Sequence, residues 1–185
     1  MTGDFKIVGS TVAHRGPVVS TEILDVRTPS GEVVERQVVR HPGAVAIVAV
    51  HQGAVVLVRQ YRVALDDELV EIPAGKRDIA GEAPEVTARR ELIEEVGLEP
   101  QRLDLLGSFV TAAGFCDEEI IIYATAQCVD VGRSVDGIEE AHSEVLRIPL
   151  NEISDWLSDG RLTDAKSLIG LFWAREAGML DTNDN

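Results

Sequence analysis

Apolar and polar side chains alternate along residues 5–42, a period-two pattern typical of strands with one covered face. The alternation is clearest in residues 18–26 and 33–39, and proline and glycine in residues 28–31 predict a turn between them. We therefore predict a β-hairpin in this region.

Two uninterrupted apolar runs follow, residues 44–50 and 54–58, with His51, Gln52 and Gly53 between them. Short apolar runs without alternation are typical of strands that are covered on both faces. These runs predict a second hairpin, with both arms buried.

A short strand is expected at residues 69–72, ending where proline and glycine interrupt regular structure. The next helix should begin near Pro84, because proline is tolerated in a first turn, and should end before Gly97, because glycine suits the position after a helix. Further strands are predicted at residues 103–110, 119–126 and 144–148, and helices at residues 151–157 and 164–177. This mixture indicates an α+β fold.

Composition narrows the class of protein. The chain has 185 residues, of which 45% are hydrophobic, which suits one globular domain with a sizeable core. A net charge of −15 without a basic run argues against a nucleic-acid partner or an anionic membrane partner. Cys116 and Cys128 do not form a metal-binding pair, and no apolar run could span a bilayer. Because no signal peptide is visible, we expect a soluble, cytoplasmic protein.

Three carboxylates, Glu91, Glu94 and Glu95, fall on one side of the predicted helix and border its apolar stripe, because successive residues turn by about 100°. Like charges four residues apart destabilise a helix by about 0.2–0.5 kcal/mol per pair, and partial burial adds to that cost. A divalent cation with oxygen ligands would compensate for this repulsion.

The spacing from Glu82 to Leu98 is E-x7-R-E-L-x-E-E-x-G-L, which resembles the Nudix box, G-x5-E-x7-R-E-U-x-E-E-x-G-U with U aliphatic. Six residues instead of five separate Gly75 from Glu82, and a loop absorbs such an insertion more easily than a helix. The wider chain is similar to the ADP-ribose pyrophosphatase branch of this family in five segments: VERQVVRH at 34–41, VRQYR at 58–62, EIPAG at 71–75, GFCDE at 114–118 and EEAH at 139–142.

The resemblance implies the Nudix fold, a mixed β-sheet sandwiched by helices, in residues 43–185. It also implies an N-terminal antiparallel β-region, residues 1–42, that is exchanged between the subunits of a homodimer. In such a dimer Arg36 would contact substrate across the interface. An exposed strand residue remains the alternative interpretation of Arg36 and of Arg62.

The resemblance also implies a set of metal ligands for Mg²⁺, with Mn²⁺ as the alternative. Glu91 and Glu95 would ligate directly, Glu94 directly or through water, and Ala74 through its backbone carbonyl. Arg90 would pair with Glu82 and brace the loop against the helix.

The remaining site residues follow from the same resemblance. The general base would be a glutamate of a late loop, for which Glu140 is preferred over Glu139 and Glu144. Substrate would be bound by Arg36, Arg62, Gly114 and Glu118. Residues 130–142, which are rich in glycine and acidic side chains, are expected to form a mobile loop.

The implied activity is metal-dependent hydrolysis of ADP-ribose to AMP and ribose 5-phosphate. Ala113 stands where the branch commonly has proline, so another nucleotide sugar, such as an ADP- or GDP-hexose, remains an alternative substrate. Two alternatives belong to other functional classes. One is a module that binds ADP-ribose without cleaving it, and the other is an assembly factor in which an ion stabilises the acidic helix.

Overall fold

The computed structural model describes residues 4–134 and 141–181. The chain folds as two compact units. The first consists of Met1–Gly43 and Phe109–Glu119, and the second of Ala44–Ser108 and Ile120–Asn185. The predicted N-terminal β-region falls in the first unit, and the glutamate-bearing helix falls in the second.

The first unit contains a three-stranded antiparallel sheet in which the strands lie side by side in chain order. Its strands are β1 (Lys6–Arg15), β2 (Ser20–Arg27) and β3 (Val33–Arg40). The pairing of β2 with β3 confirms the first predicted hairpin. β1 is exposed along almost its whole length when only the described residues are considered.

The second unit contains most of a seven-stranded mixed sheet. Its strands are β4 (Ala44–His51), β5 (Ala54–Arg62), β6 (Asp67–Glu71), β7 (Ala74–Lys76), β9 (Asp104–Val110), β10 (Glu119–Thr125) and β12 (Glu144–Pro149). The order is β12-β5-β4-β10-β9, with β6 on β5 and β7 on β4. A separate pair joins β8 (Leu98–Pro100) to β11 (Cys128–Asp130). The antiparallel pairing of β4 with β5 confirms the second predicted hairpin.

The three α-helices in the described residues are α1 (Pro84–Val96), α2 (Ile153–Ser158) and α3 (Ala165–Glu176), and a short 3₁₀ turn precedes α2. α1 ends at Gly97, which has φ 72°, as the sequence predicts. None of these helices has the length and apolar composition that crossing a bilayer requires.

Helices cover both faces of the central strand β4. On one face Ile47 belongs to the same buried cluster as Leu92 of α1. On the other face Val48 lies against α3, where a Cβ placed on Gly170 would be 3.1 Å from Val48 Cγ2. β4 also pairs in parallel with β10. This arrangement confirms the predicted mixed sheet between helices, and it explains why residues 44–50 are apolar at every position.

Candidate metal-binding and hydrolytic site

Helix α1 carries the acidic cluster at the edge of its buried face. Ala88, Leu92 and Val96 pack into the core, and this packing orients the rest of the helix. Glu91 and Glu95 are themselves buried, with 7% and 5% of their surfaces exposed. Burying carboxylates is unfavourable unless hydrogen-bond donors or cations compensate their charge. The groups around Glu91 and Glu95 therefore show how these charges are stabilised.

Strand β7 supplies the first part of those surroundings. It pairs with β4, and its residues lie against α1. The Ala74 N–H donates to Glu95 Oε2 at 2.9 Å. A Cβ built on Gly75 would lie 1.8 Å from Glu91 Cδ, so only glycine leaves room for that carboxylate. The contact supports Gly75 as the glycine of the acidic motif despite the extra residue in the following loop.

Arg90 connects the other acidic residues. One of its amino groups, Nη1, donates to Glu91 Oε1 at 2.8 Å and to Glu94 Oε2 at 3.0 Å. The other, Nη2, lies 3.4 Å from Glu82 Oε2, which also accepts the hydroxyl of the buried Thr87 at 2.7 Å. The structure thus contains the predicted pair of Arg90 with Glu82 and extends it to the helix glutamates.

The charges of this cluster alter its protonation. Burial lowers the pKa of Arg90, but the charges of Glu91, Glu94 and Glu82 outweigh burial and leave it above its usual value. The hydrogen bond from Thr87, followed by that from Arg90, holds the pKa of Glu82 below its ordinary value. Arg90 and its three partners Glu82, Glu91 and Glu94 carry a formal charge of −2, and the neighbouring Glu95 makes it −3, so the group favours a divalent cation.

No group of three or more His, Cys, Asp or Glu side chains is arranged as a metal site within residues 4–134 and 141–181. The helix carboxylates instead contact Arg90 and the Ala74 N–H. Their chemistry nevertheless fits a hard cation, because carboxylate and carbonyl oxygens are the ligands that Mg²⁺ prefers. A cation at these carboxylates would compete with Arg90 for Glu91 Oε1 and Glu94 Oε2.

A second buried ionic cluster lies at the end of β6. Arg62 donates from Nε and Nη2 to the two carboxylate oxygens of Glu71, at 2.6 Å and 2.5 Å. Lys166 of α3 donates to Glu71 Oε2 as well, and lies 3.1 Å from Asp164. Arg62 is predicted to bind substrate, and the structure shows that at least two of its donors already serve Glu71.

Glu71 stays ionised in this cluster. Burial raises its pKa, but the hydrogen bonds and charges of Arg62 and Lys166 outweigh burial and leave it below the ordinary 4.5. A lowered native pKa contributes stability that is complete above the ordinary value and is lost as the pH falls through the native value.

We therefore expect Glu71→Gln to reduce the acid sensitivity of folding. Between about pH 5 and pH 3 the free energy of unfolding should fall less steeply in this variant than in the unsubstituted protein. Urea unfolding at a series of pH values measures the slope. Glu68→Gln, at an exposed position on the same strand, should keep the original slope. Equal slopes for all three proteins would contradict the role of Glu71.

The other predicted substrate residues belong to the first unit. Arg36 is exposed on β3, and its guanidinium donates to the Glu35 carbonyl. Glu118 accepts the Thr111 hydroxyl at 2.9 Å and lies 3.4 Å from His41 Nδ1. At Gly114 a Cβ would meet no atom within 4 Å, so packing against the described residues does not explain the glycine.

Two of the three candidates for the general base, Glu139 and Glu140, lie outside the described residues, as does the central part of the predicted mobile loop, residues 135–140. The third, Glu144, begins β12 and pairs with Arg59 at 2.7 Å. The choice of base remains a prediction.

Sequence reasoning did not find Thr87, Glu71 or Lys166 as parts of these clusters. Thr87 lies inside the motif, but at a position where the motif accepts any residue. Glu71 and Lys166 are 95 residues apart, so no local spacing connects them. Glu71 begins the family-like segment EIPAG and stands between Val70 and Ile72, whereas nothing in the sequence around Lys166 marks its contact with Glu71.

Comparisons with known proteins agree with this geometry. The sequence model of the Nudix domain family matches residues 39–169. A crystal structure described as that of an ADP compounds hydrolase superposes with a TM-score of 0.81 at 25% identity, covering 96% of this chain and 95% of that one.

Two curated relatives match nearly the whole chain. The methanol dehydrogenase activator of Bacillus methanolicus is 39% identical over 168 residues, which are 90% of both chains. The ADP-ribose pyrophosphatase of Mycobacterium tuberculosis is 38% identical over 169 residues, which are 91% of this chain and 82% of that one. The glycine, arginine and glutamates of the motif occur in nearly the spacing of the Nudix box and contact one another in the structure. These contacts and the matches show that the chain belongs to the Nudix family.

Proposed function

We propose that this protein hydrolyses the pyrophosphate bond of ADP-ribose and releases AMP and ribose 5-phosphate. The observation that carries the proposal is the pair of buried carboxylates, Glu91 and Glu95, held against Gly75 and Ala74 of β7. The name of the mycobacterial relative and the description of the solved structure support a nucleoside diphosphate substrate.

Glu91, Glu94 and Glu95, with the Ala74 carbonyl, would hold the divalent cation, for which Mg²⁺ is preferred and Mn²⁺ is the alternative. When bound, the cation supplies charge neutralisation for the pyrophosphate oxygens and lowers the pKa of a bound water. Arg90 keeps Glu91 and Glu94 on one side of α1, so that both carboxylates are oriented before substrate arrives. In the reaction the water oxygen forms a bond to phosphorus as the bridging P–O bond breaks.

The proton of the attacking water would pass to a glutamate that precedes β12 in the sequence, and Glu140 is our choice. Glu140→Gln should lower kcat strongly and leave the affinity for metal nearly unchanged, because the residue is proposed to move a proton and not to ligate. Steady-state kinetics and Mn²⁺ titration measure the two effects. A larger loss of kcat in Glu139→Gln would move the role of base by one residue.

Arg36, Arg62, Gly114 and Glu118 are proposed to bind the nucleotide sugar. Arginine suits phosphate because its planar fork donates two parallel hydrogen bonds. The Arg62 side chain is 36% exposed although it serves Glu71, which supports an additional contact with a ligand.

Product analysis tests the activity. The purified protein is incubated with ADP-ribose, ADP-glucose and GDP-mannose in Mg²⁺, and the products are separated by anion-exchange chromatography. We expect equal amounts of AMP and ribose 5-phosphate from ADP-ribose, and no products in EDTA. A preference for a hexose would select the alternative substrate. Tight binding of ADP-ribose without products would select a binding module.

We further propose a cytoplasmic homodimer without a nucleic-acid or membrane partner. Support for the dimer comes from β1, where Ile7, Val8 and Val12 are 62%, 46% and 46% exposed. Exposed apolar side chains of this kind are expected where a second subunit covers the strand. Both cysteines are free thiols, which suits a reducing compartment. Light scattering should give twice the mass of one chain, and the mass of a single chain would contradict the dimer.

A further inference from the structure

The segment from Glu71 to Ala74 is held at every residue. Arg62 and Lys166 bind the Glu71 carboxylate, and the Ile72 N–H donates to Ser167 Oγ at 2.8 Å. The Pro73 carbonyl accepts from the Ile47 N–H at 2.8 Å, and the Ala74 N–H donates to Glu95 at 2.9 Å. This segment joins β6 to the residue whose carbonyl is proposed to ligate metal.

Two of these anchors come from the first turn of α3. Asp164 caps that helix by accepting from the Ser167 N–H at 2.9 Å, and it also accepts the Ser167 hydroxyl at 2.5 Å. Lys166 contacts both Asp164 and Glu71. Asp164, Lys166 and Ser167 therefore form one polar cluster at the N-terminus of α3. This cluster contacts the Glu71 carboxylate and the Ile72 backbone N–H.

Lys166 balances the charge of Asp164, and the neutralisation of Glu71 does not require it. Its side chain is 10% exposed and that of Glu71 is 1% exposed, and such buried ion pairs are often no better for stability than well-packed apolar residues. Arg62 already neutralises Glu71 through two hydrogen bonds. A second cation on the same carboxylate adds a geometric constraint, because it links Glu71 to a helix 95 residues later.

We propose that Lys166 is a positioning residue of the metal site: through Glu71 it holds residues 71–74 and so sets the place of the Ala74 carbonyl beside Glu95. This inference rests on the metal site of the proposed function. Lys166 itself does not touch metal or substrate in this scheme. Its effect passes along the anchored segment, and Ser167 of the same cluster is a second anchor, through Ile72.

The test measures Mn²⁺ binding to the full chain, without substrate, by electron paramagnetic resonance. Lys166→Met and Ser167→Ala should each weaken binding by roughly tenfold, the lower end of the range for residues that orient metal ligands, because they act on Ala74 through the segment and not by direct contact. Lys166→Arg, which keeps the cation, should recover part of the affinity. Ile148→Ala, which empties a buried position on β12, is the control for a general loss of stability and should leave the Mn²⁺ affinity unchanged.

Thermal unfolding of the same variants separates positioning from a purely structural role. If Lys166→Met and Ser167→Ala lower the melting temperature as Ile148→Ala does, but bind Mn²⁺ within two-fold of the unsubstituted protein, the inference is overturned. If Lys166→Met does not fold, Ser167→Ala decides. An unsubstituted protein that does not bind Mn²⁺ would also overturn it. If the protein binds Mn²⁺ with the expected losses in the variants but does not cleave ADP-ribose, only the proposed function fails.

Discussion

Glu95→Gln should lower the turnover of ADP-ribose by several orders of magnitude while the fold is retained. The substitution removes one negative charge from the proposed metal ligands, and an amide oxygen is a much weaker ligand for Mg²⁺ than a carboxylate. An amide oxygen can still accept the Ala74 N–H, so the contact between α1 and β7 survives. Turnover at saturating Mg²⁺ and the melting temperature are the two measurements.

Glu99→Gln is the matched control for this prediction. Glu99 is an exposed glutamate on β8, four residues after Glu95, and it has the same charge without the buried setting. Its substitution should leave turnover unchanged. If Glu95→Gln retains near-normal turnover, Glu95 does not belong to the site.

Gly75→Ala should abolish metal binding and destabilise the protein. The added Cβ would lie 1.8 Å from Glu91 Cδ and 2.1 Å from Glu91 Oε1, so the Glu91 side chain must leave its position or the backbone must move. Overpacking a buried site typically costs about 1–3 kcal/mol. Mn²⁺ titration and urea unfolding measure the two losses.

Gly114→Ala is the matched glycine replacement, because its Cβ would meet no atom within 4 Å. It should leave both the free energy of unfolding and the Mn²⁺ affinity close to those of the unsubstituted protein. If Gly75→Ala also keeps its Mn²⁺ affinity, the close approach of Glu91 to residue 75 is not required for the site.

The local elements could be predicted because local chemistry decides them. Pro84 and Gly97 bracket α1 within one residue of its observed ends. Both hairpins pair as their turns and apolar runs predict. The short pair of β8 with β11 was not predicted, because three-residue strands carry too few positions to show a period. The parallel pairing of β4 with β10 was not predicted either, since it joins segments more than 70 residues apart.

By itself the sequence determined the motif: the spacing of Glu91, Glu94 and Glu95 on one helix, with Arg90 beside them, follows from the periodicity of an α-helix and needs no tertiary contact. The tertiary structure alone decided what surrounds those groups. It placed Gly75 against Glu91, and it placed Lys166 on Glu71. Such contacts depend on how a strand and a helix far apart in the chain pack on the same sheet, and no local pattern encodes that packing.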